Sequence, residues 1–326
     1  MIAQALSTAT LRLDCVSASA RIEAAIKDGV RQLRRKGVVL GLSGGVDSSV
    51  AAALCVRALG PERVLGLFMP EAESSRDSLR LGRELAGALA IPTVLEDITP
   101  ILQGAGCYRR RDDAIRTVIP EYAEGWRCKI VLPDERSGSA YSIFSVVARS
   151  PDGTETTRRL TADAYLGVLA ATNFKQRARK MVEYYHADRS GYAVVGTPNR
   201  LEFDQGFFVK NGDGAADLKP LAHLYKTQVY QLASHLGIPR EIRERPPTTD
   251  TYSLEQSQEE FYFALPYREM DLCLYGADHA VAPSELAAAA GLPVEQVEKA
   301  YRAIQSRRAA ARYLHMRPLL VEGEAV

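Results

Sequence analysis

A short apolar run at residues 38–41 passes into Ser43-Gly44-Gly45-Val46-Asp47-Ser48 and then into an alanine-rich segment ending on Gly60. The run reads as a strand buried on both faces, and the segment as a helix with Gly60 at its C-cap. The junction turns a buried strand straight into a helix, so its residues must be small. The surrounding sequence repeats the theme. Residues 19–37 carry apolar positions at helical spacing and end on Gly37, an expected C-cap; 63–70 reads as a strand, 76–91 as a helix and 92–98 as a third strand. This βαβαβ alternation predicts an α/β fold: a doubly wound, open parallel sheet flanked by helices. Ligands of such sheets lie beyond the carboxyl ends of the strands, where Ser43 and the segment after Pro70 fall.

Between about residues 104 and 163 the pattern changes. Three stretches, 128–133, 139–150 and 155–161, are strand-like, and Pro151-Asp152-Gly153 is a turn between the last two, so an inserted β-hairpin region is expected. Helical spacing returns from Ala162, residues 192–197 read as a fourth buried strand, and 283–313 as two helical segments parted by Gly291-Leu292-Pro293.

The balance of 41 Lys and Arg against 40 Asp and Glu leaves a net charge of +1, so no global field draws nucleic acid or a membrane surface. The basic run at 109–111 is diluted by Asp112 and Asp113. Five cysteines, widely spaced and without a C-x-x-C pair, suggest reduced thiols in a cytoplasmic protein. The N-terminus does not read as a signal peptide, and no run approaches the roughly 20 apolar residues of a membrane span.

A Walker A loop would need G-x-x-x-x-G-K-S/T, and no lysine follows these glycines. Gly44 and Gly45 let backbone approach a ligand closely. The amides at the helix start face outward toward an anion, with the helix dipole adding roughly 0.3–1 kcal/mol. Ser43 and Ser48 add hydroxyl donors. Asp47 would repel a bare phosphate, but it fits a site where Mg²⁺ bridges carboxylate and phosphate. The plainer alternative is a glycine turn with Asp47 as the helix cap.

The hexapeptide S-G-G-V-D-S resembles the pyrophosphate-binding loop of the adenylating PP-loop ATPases, enzymes with an adenine nucleotide alpha hydrolase-like fold. Residues 194–239 carry a further resemblance. Gly196, Thr197, Asn199, Glu202, Gly206, Phe207, Lys210, Gly212, Asp213, Gly214, Asp217, Pro220, Lys226 and Gln228, followed by Pro-Pro-Thr-Thr-Asp at 246–250, are similar to the pattern of NAD synthetases. Together with 20–100, 163–276 and the terminal His-Met-Arg-Pro at 315–318, the likeness spans three regions.

That resemblance implies an ammonia-dependent ligase. ATP would adenylate the carboxylate of nicotinic acid adenine dinucleotide, and ammonia would displace AMP to give NAD. It implies ATP contacts from Gly41, Leu42, Ser43, Gly44, Gly45, Val46, Asp47, Ser48, Thr197, Lys226 and Thr248, and Mg²⁺ on Asp47 and Glu202. Arg177, Lys210, Asp217 and His315 would hold the dinucleotide acid. Asp213 and Lys226 would act in catalysis, Asp213 on ammonia and Lys226 on charge developing at the α-phosphate. Asn173 and Arg179 are weaker candidates, and His186 reads as structural.

A catalytic domain over residues 1–276 and a helical extension of it over 277–326 are expected. So is a homodimer, with ammonia from solution or from a separate glutaminase. Three departures touch the substrate side, one being the segment at 251–271, richer in aromatics than the family's usual acidic, proline-containing form. The family's terminal His-Lys is His315-Met316 here, with Arg317 able to take over the charge, and the 104–163 insertion could be surface ornament, pocket wall or dimer contact. A related adenylating ligase for another carboxylic acid, or a non-catalytic nucleotide-binding subunit, are the alternative readings.

Overall fold

The computed structural model describes residues 8–131, 144–246, 252–254 and 265–321. In chain order it contains α1 (Cys15–Gln32), β1 (Val38–Gly41), α2 (Val46–Leu59), β2 (Val64–Phe68), α3 (Arg76–Ala88), β3 (Thr93–Leu95), α4 (Thr99–Gly104) and α5 (Cys107–Arg116). An inserted sheet follows, with β4 (Arg127–Val131), β5 (Ser145–Arg149) and β6 (Glu155–Arg159). The long α6 (Ala162–Ser190) leads to β7 (Ala193–Val194), α7 (Arg200–Gln205), α8 (Lys226–His235) and α9 (Arg240–Glu244). The chain then runs through α10 (Tyr267–Asp278), α11 (Pro283–Ala290) and α12 (Val294–His315).

The main sheet is parallel throughout, in the order β3-β2-β1-β7. Side chains alternate across β1: Val38 and Leu40 pack with Ile22, Ile26 and Val30 of α1 and with α2 and α8, while Val39 packs with Leu102 of α4 and Val182 of α6. Helices on both faces bury every side chain of the strand, which is why it reads as a continuous apolar run. Each such side chain contributes roughly 1.5–3 kcal/mol of burial.

Helix α1 stops at Gln32, not at Gly37. Arg34 takes the left-handed turn at φ 52°, and Gly37 serves close approach instead, since a Cβ there would lie 2.4 Å from the Arg63 carbonyl oxygen.

The expected hairpin is part of a three-stranded antiparallel sheet, β4-β5-β6. It has its own core, in which Cys128, Ile130, Val146 and Ala148 meet Ile115 of α5 and Val168 of α6. A buried ionic cluster ties this unit to the main sheet. Lys175 donates to Glu71 at 2.9 Å and to Glu73 at 2.6 Å, Arg111 donates to Glu73 at 2.6 Å, and the Tyr108 hydroxyl donates to Glu71 at 2.6 Å. Burial alone would raise the Glu73 carboxyl, but Lys175 and Arg111 outweigh it and hold it below its ordinary value. Arg111 is thus a core residue, not part of an exposed basic patch. All five cysteines are unpaired, and among the described residues no helix is long and apolar enough to cross a membrane.

Helices α10, α11 and α12 share a core with Leu201 of α7 and with Tyr225, which precedes α8. Asp271 of α10 is fully buried, and its Oδ2 accepts the Thr227 amide at 2.7 Å, satisfying a donor at the start of α8. Burial pushes its carboxyl up to about 6, against opposing hydrogen bonds from Thr227 and the nearby Lys226 charge. The unfolded chain releases this proton near 3.8. Between those two values the folded state holds more protons than the unfolded one, so stability falls as pH rises. Asp271→Asn keeps an acceptor for Thr227 and removes the titration. In urea unfolding from about pH 4 to about pH 7 it is expected to gain on the order of 2–3 kcal/mol relative to the unaltered chain. A difference that stays constant over the range would show that Asp271 is not the group responsible.

Candidate active site

Strand β1 delivers Ser43 to the carboxyl edge of the sheet, and the chain turns at once into α2. Gly44 makes the turn possible: its φ is +73°, and a Cβ would lie 2.5 Å from the Ser78 carbonyl oxygen. Gly45 occupies the N-cap of α2 with no side-chain cap. The Ser43 and Ser48 hydroxyls lie 3.1 Å apart, and Ser48 and Ser49 donate to the Gly45 carbonyl at 3.0 and 2.8 Å. A tight loop with an uncapped helix start is built to receive an anion.

Asp47 is not the helix cap. Its Oδ1 accepts the Asn199 side-chain amide at 3.1 Å, and its Oδ2 accepts the Lys226 ammonium. Asn199 is 1% exposed and also begins α7 through a capping box. Its Oδ1 accepts the Glu202 amide at 3.1 Å, while Glu202 Oε2 accepts the Asn199 amide at 3.2 Å. One asparagine therefore positions both carboxylates. Lys226, at the first turn of α8, is 2% exposed. Burial would lower its pKa, but the facing charges of Asp47 and Glu202 overcome that and raise it above the ordinary lysine value.

This donor set suits Mg²⁺, which takes one or two carboxylates together with phosphate oxygens. Among the described residues, no group of three or more His, Cys, Asp or Glu side chains is gathered for a metal. An ion held by Asp47 and Glu202 would thus need oxygens from its ligand as well.

A cavity of about 650 Å³ opens over this cluster. Of the predicted site residues, Ser43, Gly45, Val46, Asp47, Ser48, Arg177, Thr197, Glu202, Lys210, Asp213 and Lys226 line it, as does the weaker candidate Asn173. Gly41 and Leu42 line an adjoining cavity of about 250 Å³, which also takes in Arg179. Asp213 accepts the Val209 amide at 2.7 Å, and burial raises its carboxyl above the usual range against that bond and the Lys180 charge. Arg177 donates to the Lys210 carbonyl at 3.3 Å, and the Lys210 ammonium donates to the Tyr313 carbonyl at 2.9 Å. Lys210 thereby fastens the end of α12 to the 206–214 loop.

Two predicted substrate contacts stand apart from both cavities. Asp217 accepts the Val194 amide at 2.7 Å and the Tyr184 hydroxyl at 3.4 Å, which pins it beside β7. His315 donates to the Phe203 carbonyl at 3.0 Å and packs edge-on to Phe203 and Phe208. Thr248 lies outside the described residues. His186 pairs with Glu96 at 2.7 Å, away from the cavity, as a structural residue does.

The NAD synthase family profile matches residues 18–116 and 149–312. The chain belongs to the NAD synthase family. Similar to it is the NH(3)-dependent NAD(+) synthetase of Mesorhizobium japonicum, 61% identical over 288 residues and covering 88% of this chain and 90% of that one. The protein of the same description from Thermotoga maritima is 36% identical, over 76% of this chain and 83% of its own. Among solved structures, an NMN synthetase from Francisella tularensis superposes with a TM-score of 0.66 at 22% identity, covering 95% of this chain and 99% of that chain. An NH3-dependent NAD synthetase from Campylobacter jejuni gives 0.63 at 21%, covering 95% and 100%. These two likenesses bear on the fold, and they agree with the helix-flanked parallel sheet. The family profile passes over residues 117–148, which take in β4, Phe144 and most of β5.

Sequence reasoning matched Asn199 to the family without giving it a role. Its signal was present as Asn-x-x-Glu, the pattern of a capping box, but its bond to Asp47 spans 152 residues.

The coupling of Asp47 to Lys226 has a measurable consequence. Asp47→Asn leaves a buried ammonium short of a counter-charge, and is expected to cost about 3–5 kcal/mol of ligand-free stability. Adding Lys226→Met is expected to restore most of that loss in urea unfolding. Simple addition of the two single effects would show that the pair is not coupled.

Proposed function

We propose that this chain is an ATP-dependent amide ligase. It converts nicotinic acid adenine dinucleotide and ammonia to NAD, with release of AMP and pyrophosphate. The observation that carries this reading is the convergence of Asp47, Glu202 and Lys226 on the uncapped start of α2 within one cavity. The family relationship supports the substrate, since the 61% identical relative is described as an NH(3)-dependent NAD(+) synthetase.

A carboxylate does not react with ammonia, because oxide would have to leave. In the proposed reaction a carboxylate oxygen of the acid attacks the α-phosphorus of ATP, the bond to pyrophosphate breaks, and an acyl-adenylate results. The 43–48 loop accepts the departing pyrophosphate through its hydroxyls and the α2 amides. Lys226 offsets charge on the α-phosphate. Mg²⁺, when bound by Asp47 and Glu202 with the nucleotide, supplies further charge neutralisation. Ammonia then attacks the acyl carbon and AMP leaves with the electron pair of the C–O bond. Asp213 takes up the proton released by the attacking nitrogen, a role supported by the raised pKa of its carboxyl.

The reading extends to a cytoplasmic homodimer supplied with ammonia from solution or a separate glutaminase. Met181 and Tyr185, one turn apart and exposed on α6 at 56% and 58%, support a dimer face. Residues 1–276 form the catalytic domain in this reading and 277–326 complete it, supported by the core that α10, α11 and α12 share with Leu201 and Tyr225.

The test follows NAD and pyrophosphate together, from nicotinic acid adenine dinucleotide, ATP, Mg²⁺ and ammonium chloride. Matched production is expected. No NAD from folded, ATP-binding protein would overturn the substrate assignment, and the corresponding mononucleotide acid is then the next substrate to try. Asp47→Ala is expected to abolish Mg²⁺-dependent pyrophosphate release. Asp213→Asn is expected to lower amide formation on the order of 10²-fold or more while sparing pyrophosphate release. Equal loss in both half-reactions would remove Asp213 from ammonia handling.

A further inference from the structure

The cavity has a wall that the adenylation chemistry does not use. One face of α6 runs along it, with Tyr165, Leu169, Thr172, Asn173, Gln176 and Arg177 all lining the space. At the helical rise this row extends about 18 Å from Tyr165 to Arg177. The Arg177 end is cationic and lies beside Lys210. The Tyr165 end is aromatic. Phe144, just before β5, stacks on Tyr165 with ring centroids 4.5 Å apart and planes within 9°. Tyr252 lines the same cavity.

These three aromatics come from separate segments and are held by one support, the inserted sheet. Tyr252 is buried in its core with Cys128, Val146 and Leu160, and Phe144 and Tyr165 pack against that core. The backbone at 252–254 is tied to β4: Leu254 donates to the Cys128 carbonyl at 3.1 Å, and the Cys128 amide donates to the Ser253 hydroxyl at 2.8 Å. Phe144 and Tyr165 are only half-buried, so each keeps part of its surface outside the core. Phe144 and most of its strand also lie within the stretch that the family profile passes over, whereas Tyr165 and Tyr252 lie within the matched residues. Of the three aromatics, Phe144 is thus the one that lies outside the matched pattern.

We infer that Phe144, Tyr165 and Tyr252 form a recognition wall for the flat heteroaromatic ring of a nucleotide substrate, built into the active site by the inserted sheet. This rests on the amide-ligase reading, in which both substrates carry such rings. The acid's pyridine bears the reacting carboxylate directly, and ATP carries adenine. An uncharged aromatic surface rewards a π-face without competing for the phosphates, whose cationic partners lie elsewhere in the cavity. It favours a nucleotide-borne acid over a simple carboxylic acid of the same charge.

Initial rates with each substrate varied in turn test the inference in Phe144→Ala, Phe144→Leu and Phe144→Tyr. Phe144→Leu keeps apolar bulk for folding but loses the ring, and Phe144→Tyr keeps the ring. In Phe144→Ala and Phe144→Leu, KM for one substrate is expected to rise roughly tenfold with kcat little changed, while Phe144→Tyr stays near the unaltered chain. A rise confined to the acid assigns the wall to the acid dinucleotide, and one confined to ATP assigns it to adenine. Unmoved KM values in folded Phe144→Leu, or a loss in kcat alone, overturn the inference while the unaltered chain still makes NAD. Failure of the unaltered chain to make NAD would instead bring down the amide-ligase reading, and this inference with it.

Discussion

The site is organised around a cation in an unfavourable place. Lys226 lies in the first turn of α8, where the helix dipole disfavours positive charge, and it is 2% exposed. Dipole and desolvation both act to discharge it. What keeps it charged is Asp47 in the first turn of α2, with Glu202 of α7 behind it. The start of α2 must therefore face the start of α8. Asn199 holds that geometry, because the same side chain donates to Asp47 and caps the helix that carries Glu202. Three helix starts converge on one point, each bringing a group that the others need.

The parallel sheet makes that convergence possible. With β1 and β7 adjacent and parallel, their carboxyl ends open on the same edge, so the loop after β1 and the segment that starts α7 lie together. A tight loop alone would bind an anion weakly. Placing two carboxylates and a lysine over the same helix start gives that anion cradle the charges that the proposed nucleotide and metal site requires.

The features legible in the sequence were those with local causes. The S-G-G-V-D-S turn, the buried run of β1, the Gly60 cap and the turn at 151–153 each follow from nearby residues. The end of α1 did not, because Arg34 could take the left-handed turn and Gly37 was required by Arg63, a tertiary neighbour. The pairing of Asp47 with Lys226 spans 179 residues and leaves no periodic trace. Asp217 was matched by family pattern, but its carboxylate is engaged by the Val194 amide, a contact that only the folded chain creates. The insertion was legible as a candidate pocket wall, but the meeting of Phe144, Tyr165 and Tyr252 was not, since it joins three segments distant in the chain.

Burial of charge does not by itself distinguish function from scaffolding here. The cluster of Glu71, Glu73, Arg111 and Lys175 is as buried as the Asp47–Lys226 pair, and it shifts the Glu73 carboxyl as that pair's surroundings shift the Lys226 ammonium. Its members bond one another, the Tyr108 hydroxyl and Asp112, and none of them lines either cavity. Such a closed network fixes how the inserted sheet sits on the main one, at a desolvation cost offset by mutual attraction. Asp47, Glu202 and Lys226 line the cavity beside an uncapped helix start. Equal burial thus has opposite consequences: in the first cluster the charges are answered by neighbouring protein groups, whereas in the second they face the space into which a ligand can bring new charge.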